Sequence, residues 1–308
     1  TLLFATADKA EDIDPTAVTG KRIATQQAMV VQNPKVARPG NGLASGQHLV
    51  EIVVRGLGTG SIYALLALGF VVIYRATRVI SFAQPAFMVA GAVVVSYLSP
   101  AVGSLLTGPV AVLIGAALGL TVERTTIRPM IGKPVFVIAI ITLGVDVVVR
   151  VFVNALIGTD VRQLGDPWGL ETVTLLGVAV QQRFIASFLV TGVVVAALFA
   201  FLRWTRYGLA MRAVAFDQEA AMAQGVSVGR VFALSWALAG GLAAIAGAFV
   251  GTGSGIDQTT FIIAFSALPA IILGGIDSVG GAVVGGLLVG LVQSLVASFQ
   301  PDAWPWLG

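Results

Sequence analysis

The sequence predicts an all-α, polytopic membrane protein with about eight transmembrane or re-entrant helices. Of its 308 residues, 57% are hydrophobic and only 11% are charged, whereas soluble domains typically carry about 25% charged residues. Glycine contributes 37 residues, and glycine is commoner in membrane helices than in soluble ones. Apolar stretches also recur at a length close to the roughly 20 residues that cross the hydrocarbon core. These observations favour a multi-span membrane protein over a soluble one.

Residues 1–48 differ from the rest of the chain. They contain several carboxylates (Asp8, Glu11, Asp12 and Asp14), prolines at 34 and 39, and no apolar periodicity. Such a composition predicts a polar N-terminal extension that is at least partly disordered. We expect the remainder, residues 49–308, to form one transmembrane domain.

Eight apolar stretches follow this extension. They are Ile52–Tyr74, Val79–Leu98, Gly103–Val122, Val135–Ile157, Phe184–Leu202, Val231–Val250, Phe261–Leu273 and Val279–Phe299. The seventh is short, contains Pro269 and is followed by Gly274-Gly275, so we expect it to be broken or re-entrant. Broken helices at membrane depth are tolerated only inside protein or beside a cavity, and they therefore indicate transport sites.

Basic residues predict the orientation. Of the 13 lysines and arginines after residue 48, nine fall in three groups. The groups are Arg75/Arg78, Arg124/Arg128/Lys133 and Arg203/Arg206/Arg212/Arg230. If every stretch spans, these groups share one side of the membrane, which the positive-inside rule makes the cytoplasm. The extension and the loop 158–183 are then external, and the segment 212–230 is cytoplasmic.

Small residues recur three or four positions apart in two stretches. They are Gly240-Gly241, Ala243-Ala244, Gly247 and Gly251 in one, and Gly280-Gly281, Gly285-Gly286 and Gly290 in the other. This spacing lets helix backbones approach closely in lipid. We expect these residues to serve helix packing.

The sequence lacks the residues that several kinds of site need. Cysteine is absent and His48 is the single histidine, which excludes disulfides and thiolate metal sites and argues against a histidine-based catalytic or zinc site. No Walker A pattern is present, so we expect no ATP hydrolysis by a P-loop on this chain. We therefore predict no enzyme activity, no metal site and no cofactor on this chain.

Asp146 and Arg150 are the main ionisable residues expected at membrane depth. They lie four positions apart in the fourth stretch, so their side chains can pair on one helix face. An intramembrane charge is by default a candidate functional residue. Two interpretations stay open, namely a structural ion pair and the coupling carboxylate of a proton- or sodium-driven transporter.

The segment Arg212–Arg230 is polar and lies between two apolar stretches. Alanine, methionine, glutamate and glutamine favour a helix from Arg212 to Gln224, with Asp217 and Glu219 near its middle. Gly225 is a plausible helix stop. The pattern E-A-A-x-x-x-G, from Glu219 to Gly225, has small alanines Ala220 and Ala221 that leave a flat face, beside a glutamate that can pair with a basic partner. A plain loop helix is the alternative interpretation.

Four further segments occur in order with the E-A-A-x-x-x-G pattern, namely Gly60–Leu65, Ile80–Gln84, Arg206–Ala213 and Ala267–Ala282. Together these segments resemble one family, the permease subunits of bacterial branched-chain amino acid ABC importers. E-A-A-x-x-x-G resembles the loop by which such permeases dock on their ATPases. The resemblance covers roughly Glu51 to Ser298.

The resemblance implies an ABC importer permease fold in the bacterial inner membrane. It implies as partners a second homologous permease subunit, two cytoplasmic ATPase subunits that use ATP, and an external substrate-binding protein, but no nucleic acid. The residues expected to couple to the ATPases are Arg212, Asp217, Glu219, Ala220, Ala221 and Gly225. Those expected to line the substrate path are Ser81, Phe82, Gln84 and Pro85.

Two departures from the family and one alternative function accompany this resemblance. The family usually lacks so long an N-terminal extension, and it usually continues past Trp304–Gly308 with another apolar helix, which we expect to be missing here. Substrates open to such a permease are branched-chain or other amino acids, urea and amides. The alternative is an ion-coupled secondary transporter of small organic solutes that uses Asp146.

Overall fold

The structure, a computed structural model, describes residues 46–102, 104–158, 172–175 and 178–299. The predicted extension lies outside this range except for its last residues, because the first helix already begins at Gly46 and includes His48. The predicted absence of a final family helix also concerns residues outside it.

Eleven α-helices, a π-helix (Glu123–Ile127), a 3-10 helix (Arg128–Met130) and one β-hairpin form the described part of the chain. The helices are α1 (Gly46–Thr77), α2 (Gln84–Val102), α3 (Ser104–Val122), α4 (Val135–Ile157), α5 (Gln182–Trp204), α6 (Arg206–Phe216), α7 (Gln218–Ala223), α8 (Val228–Ser254), α9 (Ile262–Phe265), α10 (Ala267–Gly274) and α11 (Val279–Phe299). The strands β1 (Thr172–Leu175) and β2 (Val178–Gln181) pair in antiparallel register, with Thr172 opposite Gln181. The prediction of a helical membrane protein is confirmed, with this hairpin as an addition.

Six of the helical spans described here are long and apolar enough to cross a membrane, and shorter apolar helices cover Gln84–Leu98 and Ile262–Gly274. The expected count of about eight transmembrane or re-entrant helices is not confirmed by these six spans. The expected start of the second stretch at Val79 was wrong, since residues 79–83 are not helical and α2 begins at Gln84. The seventh stretch is broken, as expected, with the interruption between α9 and α10 at Ser266.

The helices α1 and α8 form the centre of the molecule. α1 packs against α5, α8, α10 and α11, and α8 also packs against α2 and α3. In the most apolar stretch of α1, 83% of the residues are buried, whereas the corresponding share is 17% for both α4 and α5. The buried helices α1 and α8 therefore form the core against which the other helices pack, and α4 and α5 expose apolar faces.

Glycines allow the closest helix contacts, as the small-residue spacing predicted. A Cβ added at Gly290 of α11 would lie 2.3 Å from the Gly60 Cα of α1, and one at Gly240 of α8 would lie 2.2 Å from the Gly115 carbonyl oxygen of α3. Both distances are shorter than any real Cβ contact. The two helix pairs therefore touch backbone to backbone.

Replacing Gly290 by alanine is expected to destabilise the protein by about 1–3 kcal/mol, because the new methyl group has no room between α11 and α1. Gly192→Ala, in the middle of α5, is the matched control, since a Cβ there meets no atom within 4 Å. Thermal unfolding in detergent would compare both with the unmodified protein. Equal melting of the two variants would contradict the packing described here.

Candidate functional site

The segment predicted to be a coupling helix consists of two helices, α6 and α7, which meet at Asp217. The expectation of one helix with Asp217 near its middle was wrong. Asp217 is the N-cap of α7, and its Oδ1 accepts hydrogen bonds from the backbone N–H groups of Glu219 at 2.9 Å and Ala220 at 3.0 Å. An aspartate in this position satisfies amide groups that have no partner within the helix, so it fixes where α7 starts.

Gly225 ends α7, as its sequence position predicted. Its φ of 81° is left-handed, a conformation that glycine adopts without steric cost. The N–H of Gly225 donates to the Met222 carbonyl at 2.9 Å, and the N–H of Val226 donates to the Ala221 carbonyl at 3.0 Å. These two bonds form a Schellman motif, which turns the chain sharply towards α8.

The capped helix α7 presents an exposed surface. Glu219, Ala220 and Met222 are exposed while Ala221 is buried against the core. Phe216, at the end of α6, is 93% exposed. The other large apolar side chains exposed on this side of α5 and α6 are Trp204, Tyr207 and Leu209. An apolar surface next to a carboxylate is typical of a protein interaction site.

Arg212 lies on α6 and stabilises the turn between α5 and α6. Its Nη1 donates to the Leu202 carbonyl at 2.7 Å, in the last turn of α5. Gly208 packs on the same carbonyl so closely that a Cβ would lie 2.2 Å from it. The N–H of Gly208 donates to Thr205 Oγ1 at 3.1 Å. The predicted coupling residue Arg212 thus positions α6 relative to the membrane helix.

The Ser81–Pro85 element leads into the start of α2, within the protein interior. Ser81 and Gln84 are fully buried. The N–H of Phe82 donates to Thr142 Oγ1 of α4 at 3.1 Å, and Gln84 Nε2 donates to the Ala239 carbonyl of α8 at 3.2 Å. A non-helical backbone at this depth is possible because neighbouring helices satisfy its polar groups.

Asp146 and Arg150 form the predicted ion pair. Arg150 Nη2 lies 2.6 Å from Asp146 Oδ2, and the Arg150 guanidinium stacks over the Phe261 ring at 4.1 Å. The backbone N–H of Ala86, in the first turn of α2, also faces the Asp146 carboxylate. A carboxylate at a helix N-terminus is stabilised by the helix dipole, so this pair anchors α2 and the segment before α9 to α4.

A cavity of about 280 Å³ lies between α1, α5, α8, α9 and α11. Its walls are mostly apolar, with a few polar groups. The Tyr63 hydroxyl donates to Gln293 Oε1 at 2.6 Å, and the Arg183 guanidinium stacks on Phe184 at 4.7 Å. Ser187, one turn further along α5, also lines it. Ser81, Phe82, Gln84 and Pro85 are not among its lining residues.

Sequence reasoning missed this cavity. Its polar residues are spread over three helices, with Thr59 and Tyr63 on α1, Arg183 and Ser187 on α5, and Gln293 on α11. The tyrosine and glutamine are 230 positions apart, so only tertiary packing brings them together. The available signal was a few polar residues inside apolar stretches.

Comparison with known proteins shows that most of this chain is similar to permeases of one transport family. Residues 52–306 match the family described as branched-chain amino acid transport system, permease component. The high-affinity branched-chain amino acid transport system permease protein LivH of Salmonella typhimurium is 27% identical over 274 residues, which is 82% of this chain and 87% of the relative. No solved structure matched the chain.

Two further relatives have the same identity. The permease protein BraD of Pseudomonas aeruginosa, from a system of the same description, is 27% identical over 276 residues, or 83% of this chain and 89% of the relative. A probable branched-chain amino acid transport permease protein LivH of Methanocaldococcus jannaschii is 27% identical over 279 residues, or 83% of this chain and 87% of the relative.

Replacing Asp217 by alanine is expected to weaken the start of α7 by about 1 kcal/mol, because the amides of Glu219 and Ala220 lose their acceptor. Asp217→Asn keeps a side-chain oxygen and serves as the control. Hydrogen exchange, followed by mass spectrometry on peptides that cover residues 218–223, should speed up in the first variant and change little in the second. Equal exchange in both would argue against the capping role.

Proposed function

Since this chain belongs to the branched-chain amino acid transport permease family, we propose that it is the membrane-spanning subunit of an ATP-driven importer for branched-chain or other small amino acids. The chain is a multi-pass inner-membrane protein of a transport family and not an enzyme. The observation that carries the proposal is the exposed helix α7, capped at both ends, on the predicted cytoplasmic side of a chain that matches the family from residue 52 to 306.

The proposed complex has further subunits. A second homologous permease would complete the path, two cytoplasmic ATPases would supply energy, and an external binding protein would deliver the substrate. ATP would thus be bound by the partners, with no cofactor on this chain. The apolar faces of α4 and α5, which are largely exposed, suit contact with lipid or with the second permease.

The ATPases would dock on α7 and the adjoining end of α6. Glu219 supplies a negative charge for a basic residue of the partner, and Ala220 leaves room for close approach. Asp217 and Gly225 hold this short helix at both ends, Ala221 seats it on the core, and Arg212 ties α6 to α5. A displacement of α7 would therefore be transmitted to the membrane helices.

The substrate path would run from the cavity beside Tyr63 to the Ser81–Pro85 element. The cavity combines apolar walls with convergent polar groups, which is the usual character of small-molecule sites. A broken helix, a common feature of transport sites, lies next to the cavity where α9 is followed by α10, and the non-helical residues 79–83 precede α2. Ser81, Phe82, Gln84 and Pro85 would line the path at the start of α2.

The ion-coupled alternative lacks support. The chain belongs to a transport permease family, and the relatives described above are named as branched-chain amino acid permeases. In the structure Asp146 is paired with Arg150 at 2.6 Å and faces the first turn of α2. These contacts are enough to explain Asp146 as a structural residue.

The substitution Glu219→Lys tests the docking proposal. We expect loss of ATPase association and of uptake with the membrane fold retained, because a basic partner would meet a like charge. Gln224→Lys adds a positive charge at the other end of α7 and serves as the control. A mild-detergent pull-down and uptake in cells would measure both effects. Association and uptake that persist in Glu219→Lys would refute docking at α7.

Filling the cavity tests the proposed path. Ser187→Trp is expected to abolish most uptake, since the indole would occupy the space a substrate needs. Leu189→Trp, on the exposed face of the same helix, should have little effect. Both variants should keep their ATPases in the pull-down. Normal uptake by correctly folded Ser187→Trp would exclude the cavity from the path.

A further inference from the structure

We propose that Arg78 is a positioning residue that links the ATPase-docking segment to the Ser81–Pro85 element and to the broken helix α9–α10, so that movement of α6 and α7 reaches the translocation path. This inference rests on the proposed function. We use the term Arg78 bridge for the contacts that join the Arg78 guanidinium to the Ala215 carbonyl and to the Asp277 carboxylate.

The bridge joins three parts of the chain that are distant in sequence. Arg78 Nε donates to the Ala215 carbonyl at 3.0 Å, and Nη2 donates to the same oxygen. Arg78 Nη1 lies 3.2 Å from both carboxylate oxygens of Asp277. Ala215 belongs to the last turn of α6, and Asp277 lies in the turn between α10 and α11. One side chain thus holds the docking segment and one broken segment together.

The backbone at Arg78 indicates that this side chain is needed. Its φ is 58°, the one positive φ of a non-glycine residue in the described ranges. Arg78 ends α1, with its N–H donating to the Tyr74 carbonyl at 2.7 Å. Glycine would adopt this conformation with less strain. The turn alone therefore does not explain an arginine here, whereas its contacts do.

The chain after Arg78 leads directly to the Ser81–Pro85 element. Val79 and Ser81 are buried, and Phe82 and Gln84 are bonded to α4 and α8 as described above. Only five residues, 79–83, thus separate the bridge from the start of α2, with little freedom between them. A displacement of α6 would pull on Arg78 and be passed to the Ser81–Pro85 element.

The turn at Asp277 is equally confined. Gly274 and Gly281 approach so closely that a Cβ on Gly274 would lie 2.0 Å from the Gly281 carbonyl oxygen. The Ser278 hydroxyl accepts from the Gly281 N–H at 2.9 Å. A force applied at Asp277 would therefore move α10 together with the start of α11 rather than bend the turn.

The bridge has little part in stability. The Arg78 and Asp277 side chains are 44% and 64% exposed, and exposed ion pairs contribute little to folding. Replacing Arg78 by glycine also removes the backbone strain. The variant should therefore fold as well as the unmodified protein, and a loss of coupling can be observed separately from a loss of structure.

The test uses the whole transporter, with its ATPases and binding protein, in proteoliposomes with radiolabelled leucine. We measure substrate transported per ATP hydrolysed, together with melting temperature and ATPase association. Arg78→Gly should lower the ratio by about two- to thirtyfold while melting and association stay unchanged. Arg78→Lys should give a ratio between those of Arg78→Gly and the unmodified protein, because an ammonium cannot bind both the Ala215 carbonyl and the Asp277 carboxylate as a forked guanidinium does.

Two further variants make the test specific. Arg75→Gln removes a basic residue in the last turn of α1 and should leave the ratio unchanged. Asp277→Asn should lower it, and the double variant with Arg78→Gly should lower it no further than Arg78→Gly alone, because both act through one link.

The possible outcomes separate this inference from the proposed function. A normal ratio in Arg78→Gly would overturn the bridge and leave the importer intact. Loss of ATPase association in that variant would also overturn it, by placing Arg78 in the docking surface. An unmodified complex without ATP-driven uptake would refute the proposed function and the bridge with it.

Discussion

The need to satisfy backbone hydrogen bonds inside the membrane is the constraint on which this architecture depends. Two non-helical stretches, residues 79–83 before α2 and residues 255–261 before α9, connect helices of this domain. Their amide groups lie outside the helical hydrogen-bond pattern, and hydrocarbon could not satisfy them. Thr142 and Ser81 meet this need before α2 by accepting from the N–H groups of Phe82 and Ala83, and Asp257 meets it before α9 by accepting from the Thr259 N–H. The continuous helices α1 and α8 shield both places.

This arrangement divides the molecule into a frame and movable parts. Glycines bring α1 against α11, and α3 against α8, without intervening side chains, so these pairs resist relative motion. The non-helical stretches before α2 and before α9 are held instead by individual hydrogen bonds and one ion pair. Directional bonds of that kind can be exchanged between two arrangements, whereas close backbone packing cannot. Function in this fold would therefore depend on these two stretches.

The sequence predicted those features that depend on local spacing. Apolar length located the spanning helices, the four-residue spacing of Asp146 and Arg150 predicted their pair, and Gly225 marked the end of α7. The sequence could not place the start of α2, because residues 79–83 are about as apolar as the helices on either side. Their non-helical conformation is stabilised by the hydrogen bond from the Phe82 N–H to Thr142, sixty positions away. Asp217 could have been recognised as a cap, since aspartate favours that position. The contacts of Arg78 cross 137 and 199 positions, a separation at which residue spacing carries no information.

The exposure of Phe216 has a consequence for how such a complex is made. An aromatic ring that is 93% exposed, at the end of α6, favours self-association until a partner covers it. In the proposed complex, a subunit that has not yet met its partners would thus be vulnerable to aggregation and to proteolysis. Synthesis of the subunits in balanced amounts would shorten that interval. The residues proposed to receive force from the ATPases would then also shorten the life of an unassembled subunit.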